Sequence, residues 1–342
     1  MSMVSPFQIL ALTGGGFRGL YTAQVMADIE NDTGKPIAQS FDLLAGTSVG
    51  GILALAAACE IPMCKVVSLF TNHGAEIFKK RNFFSSWGGY LRSQYSSDGL
   101  EKLLSSSDIF GDRLLSDALH PVIVPSINFT KGFPVVFKTP HHPSLKRDHT
   151  LKLVDIALAT SAAPAYFPRH VFDNQQFIDG GLCANNPALL ALHEADYFFE
   201  KPLECINMLS IGTLSAKLTV NPKANRNGGA IDWAMSRLRL KHYPRNIIDI
   251  TLSSQQQIMQ QMAQHRLEKH GGKFYVIDET LTAHSAAHVG LDQVSPWAIE
   301  TLIGNARYSS KVVAGEQKLQ EILKHGAAKP RWFNGPNKNT EE

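Results

Sequence analysis

Phe41-Asp42-Leu43-Leu44-Ala45-Gly46-Thr47-Ser48-Val49-Gly50 is a short apolar run that ends on a glycine-flanked serine, and the small apolar stretch Val49 to Cys59 follows at once. The order predicts a strand, a tight turn at Ser48 and a helix of small residues. An earlier stretch is built the same way. Phe7-Gln8-Ile9-Leu10-Ala11-Leu12 is stopped by Gly14, Gly15 and Gly16, after which Leu20, Val25, Met26 and Ile29 give an amphipathic helical pattern. Two such units imply an α/β fold with a central, mostly parallel sheet and covering helices.

Outward from these units, buried strands are predicted at Pro121 to Ile127, Phe133 to Lys138, Gln176 to Ile178 and Ile206 to Ile211. Helices fit at Thr150 to Thr160 and Pro187 to Phe199. Asn221 to Gly229, rich in Asn, Gly and Lys, is expected to be an exposed connection. Beyond it, two helical stretches at Ala230 to Leu240 and Pro244 to Leu267 precede a strand at Lys273 to Asp278. Ser295-Pro296 has the form of an N-cap followed by proline at the first helical position. The expected organisation is a first domain over residues 7–213, a helix-rich extension over 221–326 packed on it, and a polar tail over 327–342 without fixed structure.

With 342 residues, 44% hydrophobic and 18% charged, the chain suits one large domain or a domain with an extension. A net charge of +3 and a pI near 8.6 are too mild to argue for a nucleic-acid partner. Cys59, Cys64, Cys183 and Cys205 have no paired spacing, and no dense Cys/His cluster offers zinc ligands, so reduced thiols and no metal are expected. Met1 to Pro6 lacks the features of a signal peptide, and Val49 to Cys59 falls short of the roughly 20 residues that span a bilayer. A cytoplasmic protein with at most peripheral membrane contact is expected.

A serine hydroxyl is a weak nucleophile, so a serine hydrolase must supply a base and stabilise the charge on the attacked carbonyl. Around Ser48, Gly46 and Gly50 allow a sharp turn, and the following helix aims its positive end at the hydroxyl. A plain N-cap serine would have the same neighbours. Gly14-x-Gly16-x-x-Gly19 also matches a dinucleotide fingerprint, but the next strand ends in Ala45-Gly46-Thr47-Ser48 where that fold places an acidic residue. In a hydrolase the Gly14, Gly15 and Gly16 amides become oxyanion donors, and Arg18 stands beside the pocket mouth to pair with a phosphate or orient the loop. A solvated arginine at a helix start is the plainer reading. Asp179-Gly180-Gly181 sets a carboxylate at a strand end, either as a base raised from its ordinary range by desolvation or as a common turn aspartate. His193 and His242 follow Asp179 in the chain order of a Ser-Asp-His triad, which leaves a third member open.

These three motifs, in this order, resemble the patatin-like phospholipase family. Thr160-Ser161-Ala162-Ala163-Pro164-Ala165-Tyr166-Phe167-Pro168 and Asp179-Gly180-Gly181-Leu182-Cys183-Ala184-Asn185-Asn186-Pro187 extend the likeness, which runs from about Phe7 to Thr213. Thr13 departs from it, since many relatives have Asp there. The resemblance implies a three-layer patatin-like fold with a nucleophile elbow, a Ser48–Asp179 dyad without histidine, and an oxyanion hole in the glycine loop. No cofactor is then required for the chemistry.

The opening residues and the helical extension are similar to bacterial patatin-like effectors of cyclic-nucleotide anti-phage signalling. That implies hydrolysis of membrane glycerophospholipids at the inner membrane, switched on by a cyclic dinucleotide such as cyclic GMP-AMP. Arg237, Arg239, Lys241 and Arg245, with His242 and Tyr243, form the densest candidate for binding two phosphates, against the alternative of a solvated helix end. Lys79-Lys80-Arg81 followed by Phe83, Phe84, Trp87, Tyr90 and Tyr95 fits a membrane contact, a lid, or core aromatics beside a helix end. The expected partners are a phospholipid bilayer surface, a cyclic dinucleotide and a second copy of the chain. Two competitors remain, an esterase of soluble or neutral esters and a non-catalytic nucleotide-binding module.

Overall fold

The computed structural model describes residues 5–79, 93–214, 243–281, 285 and 288–339. Its centre is an eight-stranded sheet of β1 (Phe7–Leu12), β2 (Leu43–Gly46), β3 (Val122–Asn128), β4 (Phe133–Lys138), β5 (His170–Phe172), β6 (Gln175–Asp179), β7 (Ile206–Ile211) and β8 (Lys273–Ile277). The order is β5-β6-β3-β2-β1-β7-β8, with β4 also on β3. From β3 through β8 the neighbours run parallel, whereas β4 and β6 are antiparallel to β3 and β5 is antiparallel to β6.

The central strands are largely apolar because both faces are covered, and alternate residues enter different cores. Leu10, Leu12, Leu44, Val122, Val124, Leu209 and Ile211 enter one. Ile9, Ala11, Leu43, Ala45, Ile123 and Met208 enter the other. The first face is covered by α1 (Gly19–Thr33), α2 (Val49–Ala58), α3 (Met63–Ile77), α4 (Asp98–Leu104) and α5 (Leu153–Ser161). After the short α6 (Gly181–Ala184), the second face receives Ala188, Ala191, Leu192 and Ala195 of α7 (Ala188–Tyr197), then Ala263 and Leu267 of α8 (Tyr243–Lys269). Each fully buried Leu or Ile of these layers contributes about 1.5–3 kcal/mol relative to exposure.

Sheet register sets the site. β2 pairs Leu44 with Val122 and Ala45 with Ile123, and the chain turns at Ser48 just after β2 ends at Gly46. On the other side of β3, Ser126 pairs with Asp179 of β6. Asp179 at the end of β6 and Ser48 just after β2 thus come from the two strands that flank β3.

The extension differs from a unit packed on a finished domain, because β8 pairs in parallel with β7 and completes the sheet. Without it, β7 would present an open edge. Ser295 caps α9 (Pro296–Ala314) as expected, its hydroxyl accepting from the Ala298 amide at 3.1 Å. The short α10 (Gln317–Leu323) adds Leu319 and Ile322 to the first core.

Residues 327–339 correct the expectation of a tail without structure. The Ala327 amide donates to the Gln39 carbonyl at 2.8 Å, the Ala328 amide to Asp42 Oδ1 at 3.1 Å, and the Phe333 amide to the Pro140 carbonyl at 2.8 Å. Trp332 is only 7% exposed. The segment is polar because it lies along a surface, yet Trp332 and these backbone bonds fix it there. The expected connection at 221–229 and helix at 230–240 lie outside the described residues.

Candidate active site

Ser48 joins β2 to α2 with φ 55° and ψ −127°, a positive φ that residues with a Cβ seldom adopt. Its neighbours permit the tight turn. A Cβ on Gly46 would fall 2.0 Å from the Gly50 carbonyl oxygen, and one on Gly50 would fall 2.3 Å from that of Leu12. Strain of this kind, on the order of 1–3 kcal/mol, persists where surrounding structure holds it. Here the Ser48 amide donates to Thr160 Oγ1 at 3.0 Å, while the Ser48 carbonyl accepts from Gly51 and Ile52.

The Ser48 hydroxyl donates to Asp179 Oδ2 at 2.7 Å. The other carboxylate oxygen accepts the Gly181 amide, also at 2.7 Å, which fixes the rotation of the group. Both side chains are buried, Asp179 more deeply. Desolvation pushes the Asp179 pKa up to about 6, against the smaller opposing effects of the Gly181 and Ser48 hydrogen bonds. The carboxyl is mostly ionised at neutral pH, yet much more basic than an exposed aspartate. Gly180 lies against the Pro125 carbonyl and Gly19 against Val49, which closes the two loops around the pair.

Gly15 and Gly16 line the same cavity as Ser48 and Asp179, and among the described residues their amides donate to no protein group. The Gly14 amide is different. It donates to the Asn185 carbonyl at 3.0 Å and is thereby taken out of the expected set of oxyanion donors. Gly14 still belongs to the framework that joins the glycine loop to the Asp179 loop. Thr13 takes part in that framework too, its hydroxyl accepting from Asn186 Nδ2 at 3.2 Å.

Arg18 is not among the cavity-lining residues. The carboxylates of Asp249 on α8 and Asp278 after β8 act on its guanidinium, which burial nevertheless holds below its usual pKa. Of the roles open to it, orienting the loop fits this setting better than meeting a substrate phosphate at the mouth. Arg237, Arg239, Lys241 and His242, together with the Arg245 side chain, lie outside the described residues, as do Phe83, Phe84, Trp87 and Tyr90. Tyr95 is a core residue, 2% exposed and packed edge-on against Phe78.

The cavity encloses about 910 Å³ of atom-free space, part of it open to solvent. Its walls are apolar, with Val66, Leu69 and Phe70 from α3 and Leu100, Leu103 and Leu104 from α4. No histidine lines it among the described residues, and His193 is exposed on α7, stacked on Tyr197. Sequence reasoning missed Leu252 of α8 and Leu291 of the extension, which also line the cavity. It also gave no separate role to Thr160, although the stretch beginning there was part of the family likeness.

A sequence model described as patatin-like phospholipase matches residues 10–192. The chain belongs to the patatin-like phospholipase family. Across its whole length this family member is 37% identical to a cGAMP-activated phospholipase of Pseudomonas aeruginosa, covering 99% of that protein. It is 31% identical to a protein of the same name from Vibrio cholerae serotype O1, over 88% of this chain and 89% of that one. A calcium-independent phospholipase A2-gamma of Rattus norvegicus is 32% identical over 60% of this chain and 28% of its own length. The protein is a lipid acyl hydrolase of the patatin-like type.

Proposed function

We propose that the protein hydrolyses acyl esters of membrane glycerophospholipids with Ser48 as nucleophile and Asp179 as base, and that a cyclic dinucleotide such as cyclic GMP-AMP raises this activity. The observation that carries the chemistry is the 2.7 Å contact from Ser48 Oγ to Asp179 Oδ2 inside an apolar cavity. As Ser48 Oγ attacks the ester carbonyl, its proton passes to Asp179 Oδ2. The Gly15 and Gly16 amides receive the oxyanion, in a setting where losing one such donor costs about 10²- to 10³-fold in rate. Collapse expels the lysolipid alkoxide, which takes the proton back from Asp179. Water, deprotonated by the same carboxylate, then releases the fatty acid from the acyl-serine.

Activation by a cyclic dinucleotide is supported by the names of two relatives that align over nearly their whole length. The basic run 237–245 is the candidate binding segment. On this reading the enzyme acts peripherally at the cytoplasmic face of the inner membrane, within anti-phage defence. Among the described residues no helix is long and apolar enough to cross a membrane.

The test is incubation of the purified protein with mixed phospholipid vesicles, with and without a panel of cyclic dinucleotides, identifying released lysolipids and fatty acids. Ser48→Ala and Asp179→Asn must each abolish release. Equal turnover with and without every nucleotide would remove the activation, and equal preference for short soluble esters would favour a general esterase.

A further inference from the structure

Among Gly14, Gly15, Gly16 and Gly19, Gly16 has the positive φ. It sits at φ 57° with no Cβ, so it can cross to negative φ at little cost and carry its amide away from the cavity. The adjoining peptide is held from outside the loop. The Phe17 amide donates to the Leu291 carbonyl at 2.8 Å, and that carbonyl presses so close that a Cβ on Gly16 would come within 2.2 Å of its oxygen.

Leu291 lies in the connection between β8 and α9, anchored by buried Val289 before it and by the Ser295 cap after it. Between these anchors, Asp292 Oδ2 accepts from Tyr95 Oη at 2.7 Å and from Gln94 Nε2 at 3.4 Å. A phenol bonded to a carboxylate is one of the stronger hydrogen bonds available. Tyr95 is itself fixed on several sides. Its ring packs against Phe78 at 5.4 Å and Phe167 at 5.8 Å, its amide donates to the Tyr166 carbonyl at 2.8 Å, and the Gln94 amide donates to Ala165 at 3.1 Å.

We infer that Tyr95 and Asp292 form a clasp that positions the oxyanion loop, holding the Leu291 carbonyl against Gly16 so that the Gly15 and Gly16 amides stay aimed at the reacting carbonyl. The inference rests on the proposed role of those two amides. Both residues act through Leu291 and touch no substrate atom in the chemistry, so they are positioning residues. A consequence is that the extension supplies part of the catalytic framework, and residues 7–213 alone lack it.

The experiment uses the full chain carrying Tyr95→Phe, Asp292→Ala, Asp292→Asn, or Tyr95→Phe with Asp292→Ala. Four quantities are read: kcat and KM on a short soluble ester, the rate of Ser48 labelling by a fluorophosphonate, and hydrogen exchange at the Phe17 amide. Tyr95→Phe and Asp292→Ala are each expected to lower kcat and labelling by about tenfold to hundredfold, the size of effect that small misplacements produce, while KM moves less than about twofold. Phe17 exchange should quicken in both. The double variant should be no worse than the poorer single, as for two members of one interaction. Asp292→Asn, which keeps an acceptor oxygen, should recover most of the rate.

Unchanged kcat in both single variants, losses that multiply in the double, or an effect confined to KM would overturn the clasp. A wild-type Ser48 inert to the fluorophosphonate both with and without cyclic GMP-AMP would instead overturn Ser48 as the nucleophile, with Phe17 exchange still reporting on the clasp. If Asp292→Ala does not fold, Tyr95→Phe carries the test, since it removes one oxygen and leaves the ring packing in place.

Discussion

Thr160 Oγ1 accepts the Ser48 amide at 3.0 Å while donating to the Pro125 carbonyl at 2.6 Å. One hydroxyl therefore ties the strained serine to β3, the strand that lies between β2 and β6. Thr160→Val keeps the shape and removes both bonds. We expect kcat to fall about tenfold or more from lost alignment, and stability to fall about 1–3 kcal/mol because buried polar groups lose their partner. Thr160→Ser should restore most of both. Steady-state kinetics and urea unfolding decide the matter, and a fully active Thr160→Val variant would dismiss this role.

With Asp179 as the proposed base, its raised pKa sets the acid side of the expected rate profile. Only the ionised carboxylate can take the Ser48 proton, so kcat/KM should climb about tenfold per pH unit below the Asp179 pKa and level off above about 6. Initial rates on a soluble ester between pH 4 and 9, at constant ionic strength, test it. An acid limb centred near 4 would mean that the base is not desolvated.

The same carboxyl works against folding at neutral pH. Its folded pKa, about 6, lies above the roughly 3.9 expected when unfolded, so between these values the folded state binds more protons and stability falls as pH rises. Asp179→Asn removes the buried charge. Its side chain can still accept from the Gly181 amide and can donate to Ser48. The inactive variant should be more stable than wild type by up to about 2–3 kcal/mol above pH 6, with the gain vanishing below pH 4. Denaturant unfolding at pH 4 and pH 7.5 measures both ends, and a gain that does not change with pH would contradict the account.

What the sequence made legible follows from locality. The runs Phe7 to Leu12 and Phe41 to Ala45 announce buried strands because their glycine stops lie within a few residues. Ser48 stands out because its sharp turn needs glycines on either side, and Asp179 because the glycine after it lets the loop close against the Pro125 carbonyl. The pairing of β8 with β7, the Leu291 contact on Phe17 and the Asp292 contact on Tyr95 join residues far apart in the chain. None leaves a local pattern. The same holds for the loss of Gly14 as a donor, since nothing around Gly14 tells that the Asn185 carbonyl will take its amide.

The ordered run 327–339 should carry measurable stability. Asp42 accepts from the Gln8 and Ala328 amides and lies 2.9 Å from His325 Nε2, joining the end of the chain to the sheet. Trp332→Ala should cost about 3 kcal/mol, the lower end for a buried aromatic truncation, and a chain ending at Gly326 at least as much. Fluorophosphonate labelling of Ser48 at low temperature should remain near wild type in both. A truncated chain with unchanged unfolding would show that the segment adds nothing to the fold.

The apolar cavity makes the last prediction, because it separates a phospholipid acyl site from a pocket for small esters. Val66 on α3 is 3% exposed and lines the wall that α3 and α4 supply, away from the hydrogen bonds of Ser48 and Asp179. Val66→Phe should shorten the space for a long chain at a packing cost of about 1–3 kcal/mol. Excluding three methylenes forfeits about 2.4 kcal/mol of burial, so kcat/KM for a long-chain phospholipid should fall roughly fiftyfold. A butyrate ester, which has no chain to exclude, should be cleaved at near wild-type rate. Equal loss on both substrates would point to damage at Ser48, and no loss on either would place the acyl chain along some other path.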